Sequence, residues 1–146
     1  MSTYTVLKNR HQQEVNAFPM AFAFNQRQFE EGMAKLGLGP DDTDKVYKIG
    51  DTGGFYRRSD AARFRELFDR HEREHQEATD GDTTGEGYIY EMFLYELANH
   101  EYTYTGDLTS TLEALDLTPE DFEKSAPLRN GLRKAKEELW RQEEAF

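Results

Sequence analysis

The sequence predicts a helix-dominated α+β domain with a small antiparallel sheet of about three strands. Long segments carry apolar residues every three or four positions, which is the pattern of helices packed on one side. Two short runs rich in β-branched and aromatic residues flank a glycine-rich turn, which indicates a β-hairpin. The length of 146 residues fits one domain covering residues 1–146.

The first half of the chain predicts helix, strand, helix and hairpin in that order. Pro19 ends the first helix because proline cannot continue it, and Asn25 is a candidate N-cap for the second helix. The expected ranges are 3–18 for the first helix, 20–24 for the strand, 25–37 for the second helix, and 46–49 with 55–57 for the two strands of the hairpin.

The second half of the chain predicts helices only. Ser59 is the expected cap of a helix over 60–78, and Thr83 with Glu86 forms a capping box that opens a helix reaching residue 101. That helix is apolar or aromatic nearly all round, so it belongs in the centre of a domain. Further helices are expected at 108–115, at 118–124 and from 127 onward.

Composition excludes several classes of function. The chain has no cysteine, which rules out disulfides, thiolate zinc sites and cysteine nucleophiles. Aromatic residues make up 13%, which indicates a folded rather than a disordered chain. The net charge of -11 argues against direct binding of nucleic acid or an anionic membrane. No transmembrane segment or signal peptide is evident, so a cytoplasmic protein is expected.

The acidic excess is concentrated in one part of the sequence. Residues 74–123 contain fourteen Asp or Glu and no Lys or Arg. Such a stretch is either a solvated face that maintains solubility or a surface for a basic partner. The candidate partner-binding residues are Glu86, Asp107, Glu113, Asp116, Glu120, Asp121 and Glu123. The leading functional hypothesis is therefore a non-enzymatic acidic interaction or regulatory protein that binds a basic surface.

Histidines suggest an alternative function, a transition-metal site. His71 and His75 fall on one face of their helix, and Glu96 precedes His100 by one turn on the next long helix. If those helices pack antiparallel, the four side chains converge as ligands suited to zinc or iron. The alternative function is then a transition-metal-binding protein, which includes the hypothesis of a metal-dependent hydrolase. Residues 71–75 also match the H-E-x-x-H pattern of zinc proteases, although the helix is unusually charged for that class. The competing interpretation is that these are core histidines hydrogen-bonded to Tyr and Glu.

A second alternative is calcium binding at residues 80–91, whose spacing follows the twelve-position EF-hand loop. The candidate ligands are Asp80, Asp82, Thr84, Glu86 and Glu91, with a turn glycine at position six. Gly87 stands where a branched apolar residue normally pairs with a second loop, and the chain has no second loop. The competing interpretation is a polar turn leading into the capping box.

Three strings resemble a family of small uncharacterised proteins frequent in anaerobic gut bacteria, their phages and conjugative elements. They are KNRHQQEVNAFPM at 8–20, TGEGYIYEMF at 84–93 and YELANHEY at 95–102. The resemblance extends over about residues 4–136 and implies no activity, cofactor or catalytic residue. It implies instead a bacterial accessory protein linked to mobile DNA, so the basic partner would be a protein that handles nucleic acid.

Overall fold

The computed structural model describes residues 3–144, and the chain divides into two compact units. One unit comprises residues up to Arg10 and from Arg73 onward, and the other is His11–Glu72. The elements in chain order are α1 (Thr3–Ala17), β1 (Met20–Phe22), α2 (Gln26–Lys35), β2 (Val46–Ile49), β3 (Gly54–Arg57), α3 (Ala61–Asp80), α4 (Tyr88–Asn99), α5 (Tyr102–Thr105), α6 (Thr109–Ala114), α7 (Pro119–Lys124) and α8 (Ala126–Glu144). The predicted helix-dominated α+β class is confirmed, whereas a single domain over 1–146 stays a prediction.

The unit His11–Glu72 is built on the three-stranded sheet. β3 lies between β1 and β2 and is antiparallel to both, so the predicted hairpin is confirmed. Met33 and Leu36 of the α2 region pack with Ala21 and Phe55 of the sheet into one small core. Asn25 caps α2 as predicted, because its side chain accepts a hydrogen bond from the Gln28 backbone N–H.

The start of α3 differs from the prediction. Ser59 does not cap the helix but lies inside a short 3₁₀ turn, Arg58–Asp60, that precedes it. The neighbouring Asp60 is buried, and its carboxylate accepts hydrogen bonds from Arg57 and Arg63 at 2.8 and 3.1 Å. A buried carboxylate needs such partners, and two arginines in its sequence neighbourhood supply them.

The other unit is organised around α4. Ile89, Met92, Phe93 and Leu97 are almost completely buried there, as the apolar pattern of this helix predicts. The side chains packed around them come from α1, α5 and α8, and the buried members are Tyr4, Tyr102, Leu128, Ala135 and Leu139. The chain therefore covers α4 with its own residues.

The start of α4 also differs from the prediction. The helix begins at Tyr88, and neither Thr83 nor Glu86 forms the expected capping box. Asp82 takes that role from farther away, because its carboxylate accepts hydrogen bonds from the backbone N–H groups of Gly85, Gly87 and Ile89 at 2.9, 3.1 and 2.9 Å. A carboxylate at a helix N-terminus satisfies free N–H groups and interacts favourably with the helix dipole.

Among the described helices, none combines the length and the apolar character that crossing a membrane requires.

The turn before α4 lies close to the backbone of α8, and this close contact depends on two glycines. A Cβ on Gly131 would lie 2.6 Å from Ile89 Cγ2 and 2.7 Å from the Gly85 carbonyl oxygen. Gly85 itself has a φ of +83°, and a Cβ there would lie 2.0 Å from the Pro127 carbonyl oxygen. Neither position has room for a side chain.

We expect Gly131→Ala to destabilise the protein by about 1–3 kcal/mol, the usual range for an overpacked core. Helix propensity alone favours alanine over glycine by about 1 kcal/mol. The same substitution at an open helical site would therefore stabilise the protein, whereas here we expect it to be destabilising. Urea denaturation measures the free energy of unfolding. Glu143→Ala, at an exposed α8 position, is the control and should change it by less than about 0.5 kcal/mol. An unchanged or more stable G131A variant would contradict the close packing.

Candidate functional site

Two histidines and a glutamate converge in the unit His11–Glu72. His11 and Glu14 stand three positions apart on α1, and His71 comes from α3. One potential ligand atom from each lies within 4.8 Å of the others, and among residues 3–144 this is the only such group of three His, Asp or Glu. The His11 and His71 rings are stacked, with centroids 3.8 Å apart and planes 13° from parallel.

Glu14 carries the negative charge of this cluster. Its Oε1 lies 3.3 Å from His71 Nε2, and Arg70 donates hydrogen bonds to both of its oxygens. The hydrogen bonds from Arg70 hold the pKa of the Glu14 carboxyl below its usual value. The carboxylate is therefore ionised at neutral pH and can act as a ligand or an ion-pair partner.

The predicted ligand set His71, His75, Glu96 and His100 is divided between the two units. His71 belongs to His11–Glu72, where it lies beside His11 and Glu14, whereas the other three belong to the second unit. His75 Nδ1 lies 2.6 Å from the Tyr88 hydroxyl, and burial lowers the pKa of this histidine. Its hydrogen bond to a tyrosine is the arrangement that the core-histidine interpretation predicts.

Glu96 and His100 are close together, but Glu96 is mainly engaged by other groups. The carboxylate is only 3% exposed, and its Oε1 accepts hydrogen bonds from the Tyr4 hydroxyl and the Lys8 ammonium, both at 2.7 Å. His100 Nε2 lies 3.6 Å from Oε2. Burial raises the pKa of Glu96, but the hydrogen bonds from Lys8 and Tyr4 outweigh it, so the pKa is below its usual value.

The predicted calcium ligands each have a different hydrogen-bond partner. Asp82 binds backbone N–H groups of the turn, and Glu91 Oε2 accepts from the hydroxyl and backbone N–H of Thr3. Glu86 pairs with Lys134 at 2.8 Å. The remaining two interact locally, Asp80 with Gln76 and Thr84 with Asp82. Calcium binding at 80–91 stays a prediction, and it would require these oxygens to leave their present donors.

The predicted partner-binding residues behave as two groups. Glu86, Asp107, Glu120 and Asp121 have partners, respectively Lys134, Thr109, Lys124 and Thr118. Glu113, Asp116 and Glu123 are exposed, and none of them has an ion pair with residues 3–144. Among the predicted partner-binding residues, the carboxylates without a partner within residues 3–144 thus lie around α6 and α7.

Sequence reasoning missed His11 and Glu14 as candidate ligands. Their spacing of three positions on a predicted helix is the one signal that was available, since i and i+3 share a helix face. Their pairing with His71 has no sequence signature, because it joins residues that are far apart along the chain.

The Glu96 contacts make a testable prediction about stability and pH. We expect Glu96→Gln to lower the free energy of unfolding at pH 7 by about 1–3 kcal/mol, because Lys8 loses its negative partner. A carboxyl group with a lowered pKa stabilises the fold above its unfolded pKa, and this contribution disappears as the pH falls through the folded value. The difference between wild type and E96Q should therefore be constant near neutrality and shrink below about pH 4.5.

Urea unfolding of both proteins between pH 7 and pH 3 measures this difference. Glu113→Gln is the control, since Glu113 is exposed and has no ion pair with the described residues, and it should change stability by less than about 0.5 kcal/mol. A gap between wild type and E96Q that persists undiminished at pH 3 would show that charge on Glu96 is not its source.

Comparisons with known proteins identify the chain by family only. A family model described as a family of unknown function, DUF7659, matches residues 3–138. Neither the curated proteins nor the solved structures contain a match. Because the family model covers nearly the whole sequence, the chain belongs to the DUF7659 family of unknown function.

Proposed function

We propose that this protein is an interaction protein whose acidic segment, residues 101–123, binds a basic surface of a partner protein. The observation that carries the proposal is the charge of this segment, which contains seven Asp or Glu and no Lys or Arg. Such a one-sign surface creates a potential that attracts a positively charged partner and accelerates its association.

Exposure supports this segment over the rest of the acidic stretch. Before residue 101, the carboxylates of Glu74, Glu86 and Glu96 pair with Arg10, Lys134 and Lys8. Glu77 and Asp80 are the two exposed carboxylates in that part of the stretch that have no ion pair with residues 3–144. Within the acidic segment, four carboxylates are exposed and have neither an ion pair nor a side-chain hydrogen bond with residues 3–144, namely Glu101, Glu113, Asp116 and Glu123. These four can pair with a partner's lysines and arginines without breaking an ion pair within the described residues.

Tyr104 gives the acidic segment an aromatic contact residue. It lies in α5 and is 84% exposed, the highest value among the exposed large hydrophobic side chains. Tyrosine is enriched at the energetic centres of protein interfaces, and its ring attracts lysine and arginine through cation–π interaction. A tyrosine three positions from both Glu101 and Asp107 in the sequence therefore suits a surface that combines positive charge with apolar groups.

The chemistry favours a protein partner over nucleic acid, because the acidic segment repels phosphate. The resemblance to proteins of gut bacteria, phages and conjugative elements suggests which basic proteins are relevant. Proteins that handle DNA or RNA carry Lys and Arg surfaces for phosphate contacts. Carboxylates spaced along 101–123 would cover such a surface and block its nucleic acid, which is a regulatory function.

Charge neutralisation tests the proposal. The test variant combines E101Q, E113Q, D116N and E123Q, and the control variant combines E30Q, D41N, D51N and E72Q, which remove four exposed charges from the other unit. The probe is a labelled peptide rich in lysine and arginine, and fluorescence anisotropy at increasing NaCl measures its affinity. Asparagine suits position 116, whose φ is +54°, because Asn tolerates the left-handed region.

We expect the test variant to bind the peptide about 30-fold more weakly, at roughly 0.5 kcal/mol for each lost ion pair. The control variant should keep most of the affinity, and Tyr104→Ala should weaken binding without changing its dependence on salt. Equal losses in the test and control variants would mean that net charge alone attracts the peptide, and the acidic segment would then not be a binding site.

A further inference from the structure

We infer that His11, Glu14 and His71 form a binding site for one divalent transition-metal ion, with zinc as the representative ion. The inference is independent of the acidic segment, since it rests on residues of the other unit. Two imidazoles and one carboxylate are a donor set that zinc, cobalt and iron(II) accept, whereas calcium and magnesium prefer oxygen alone. Their potential ligand atoms lie within 4.8 Å of one another.

One of the ligand–ligand distances already matches that of a tetrahedral site. With zinc–ligand bonds of about 2.0–2.1 Å, adjacent ligand atoms are about 3.3 Å apart. His71 Nε2 and Glu14 Oε1 already have a separation of 3.3 Å. A metal ion lies in the plane of each imidazole it binds, so His11 and His71 must open from their 13° stack. Metal binding would therefore require the half-buried His11 side chain to rotate.

His71 provides the second, separate observation. The residue is only 8% exposed, and its Nε2 is buried and makes no hydrogen bond with the residues that the structure describes, although Glu14 Oε1 lies 3.3 Å away. Buried polar atoms are normally satisfied, and leaving one without a partner costs free energy. A metal ion in front of this nitrogen would accept its lone pair and lie beside Glu14 Oε1.

Arg70 is compatible with metal binding because Glu14 has two oxygens. Arg70 Nη2 donates to Oε2, while Oε1 is the oxygen beside His71. A metal bound to Oε1 would replace the longer hydrogen bond, 3.3 Å, that Arg70 Nη1 donates to this oxygen, and it would leave the bond on Oε2 in place. The remaining bond would orient the carboxylate as outer-shell partners of metal ligands commonly do. Three protein ligands leave a further coordination position for water or a small anion.

The experiment uses full-length protein purified without a histidine tag and freed of metal by chelation. Zinc affinity is measured by competition with a chromophoric chelator, and Co²⁺ absorption reports the coordination sphere. The variants are H11Q, E14Q and H71Q, and the matched control is H100Q, a half-buried histidine of the other unit. Because H71Q removes a buried side chain, H11Q and E14Q keep the test valid if H71Q does not fold.

We expect one zinc per chain and a Co²⁺ spectrum of a four- or five-coordinate site. H11Q and E14Q should each weaken zinc binding by more than about tenfold, since even outer-shell changes cost 10–100-fold. H100Q should bind as wild type does, and excess Ca²⁺ should not displace the zinc. Less than stoichiometric zinc, or wild-type affinity in H11Q and E14Q, would overturn the proposal. Displacement by Ca²⁺ would also overturn it, since that result would assign the metal to surface carboxylates.

Discussion

The unit that combines residues up to Arg10 with those from Arg73 onward depends on the burial of α4. A helix that is apolar nearly all round must be covered on every side, because exposed apolar surface costs about 25 cal/mol per Å². α8 approaches this helix closely where Gly131 meets Ile89 and the Gly85 carbonyl. The first turns of α1 supply Tyr4, and α5 supplies Tyr102. The elements of this unit are arranged around one hydrophobic helix.

That arrangement determines where charge can lie. Glu96 is on α4 and therefore buried, so it requires the ammonium of Lys8 and the hydroxyl of Tyr4. α6 and α7 each contribute one apolar residue to the core, Leu112 and Phe122. Apart from the buried Thr111, their other positions are at least partly exposed. The surplus of acids in the sequence thus produces a paired charge at the centre of the unit and, within residues 101–123, a group of exposed carboxylates that are unpaired among the described residues.

Local sequence signals predicted most of the fold because each depends on neighbouring residues. Asn25 as a cap and the glycine-rich hairpin turn are examples, since both involve contacts within a few positions. The predicted cap of α4 was wrong. A short-range capping box was expected, whereas Asp82 accepts a hydrogen bond from the Ile89 N–H seven positions later. The histidine cluster was not predictable as a whole, because periodicity shows which face His71 occupies but not which helix packs against that face.

The contacts of the first residues have a consequence for the order of folding during synthesis. Thr3 and Tyr4 hydrogen-bond to Glu91 and Glu96, which are 88 and 92 positions later in the chain. The start of α1 is synthesised before α4 and therefore waits for α4, and for the α8 residues that cover it, before it can dock. Residues 11–72 have their own sheet and core and are synthesised meanwhile. Tyr4 remains without its native neighbours throughout that interval, so closure of this unit is a late, long-range event.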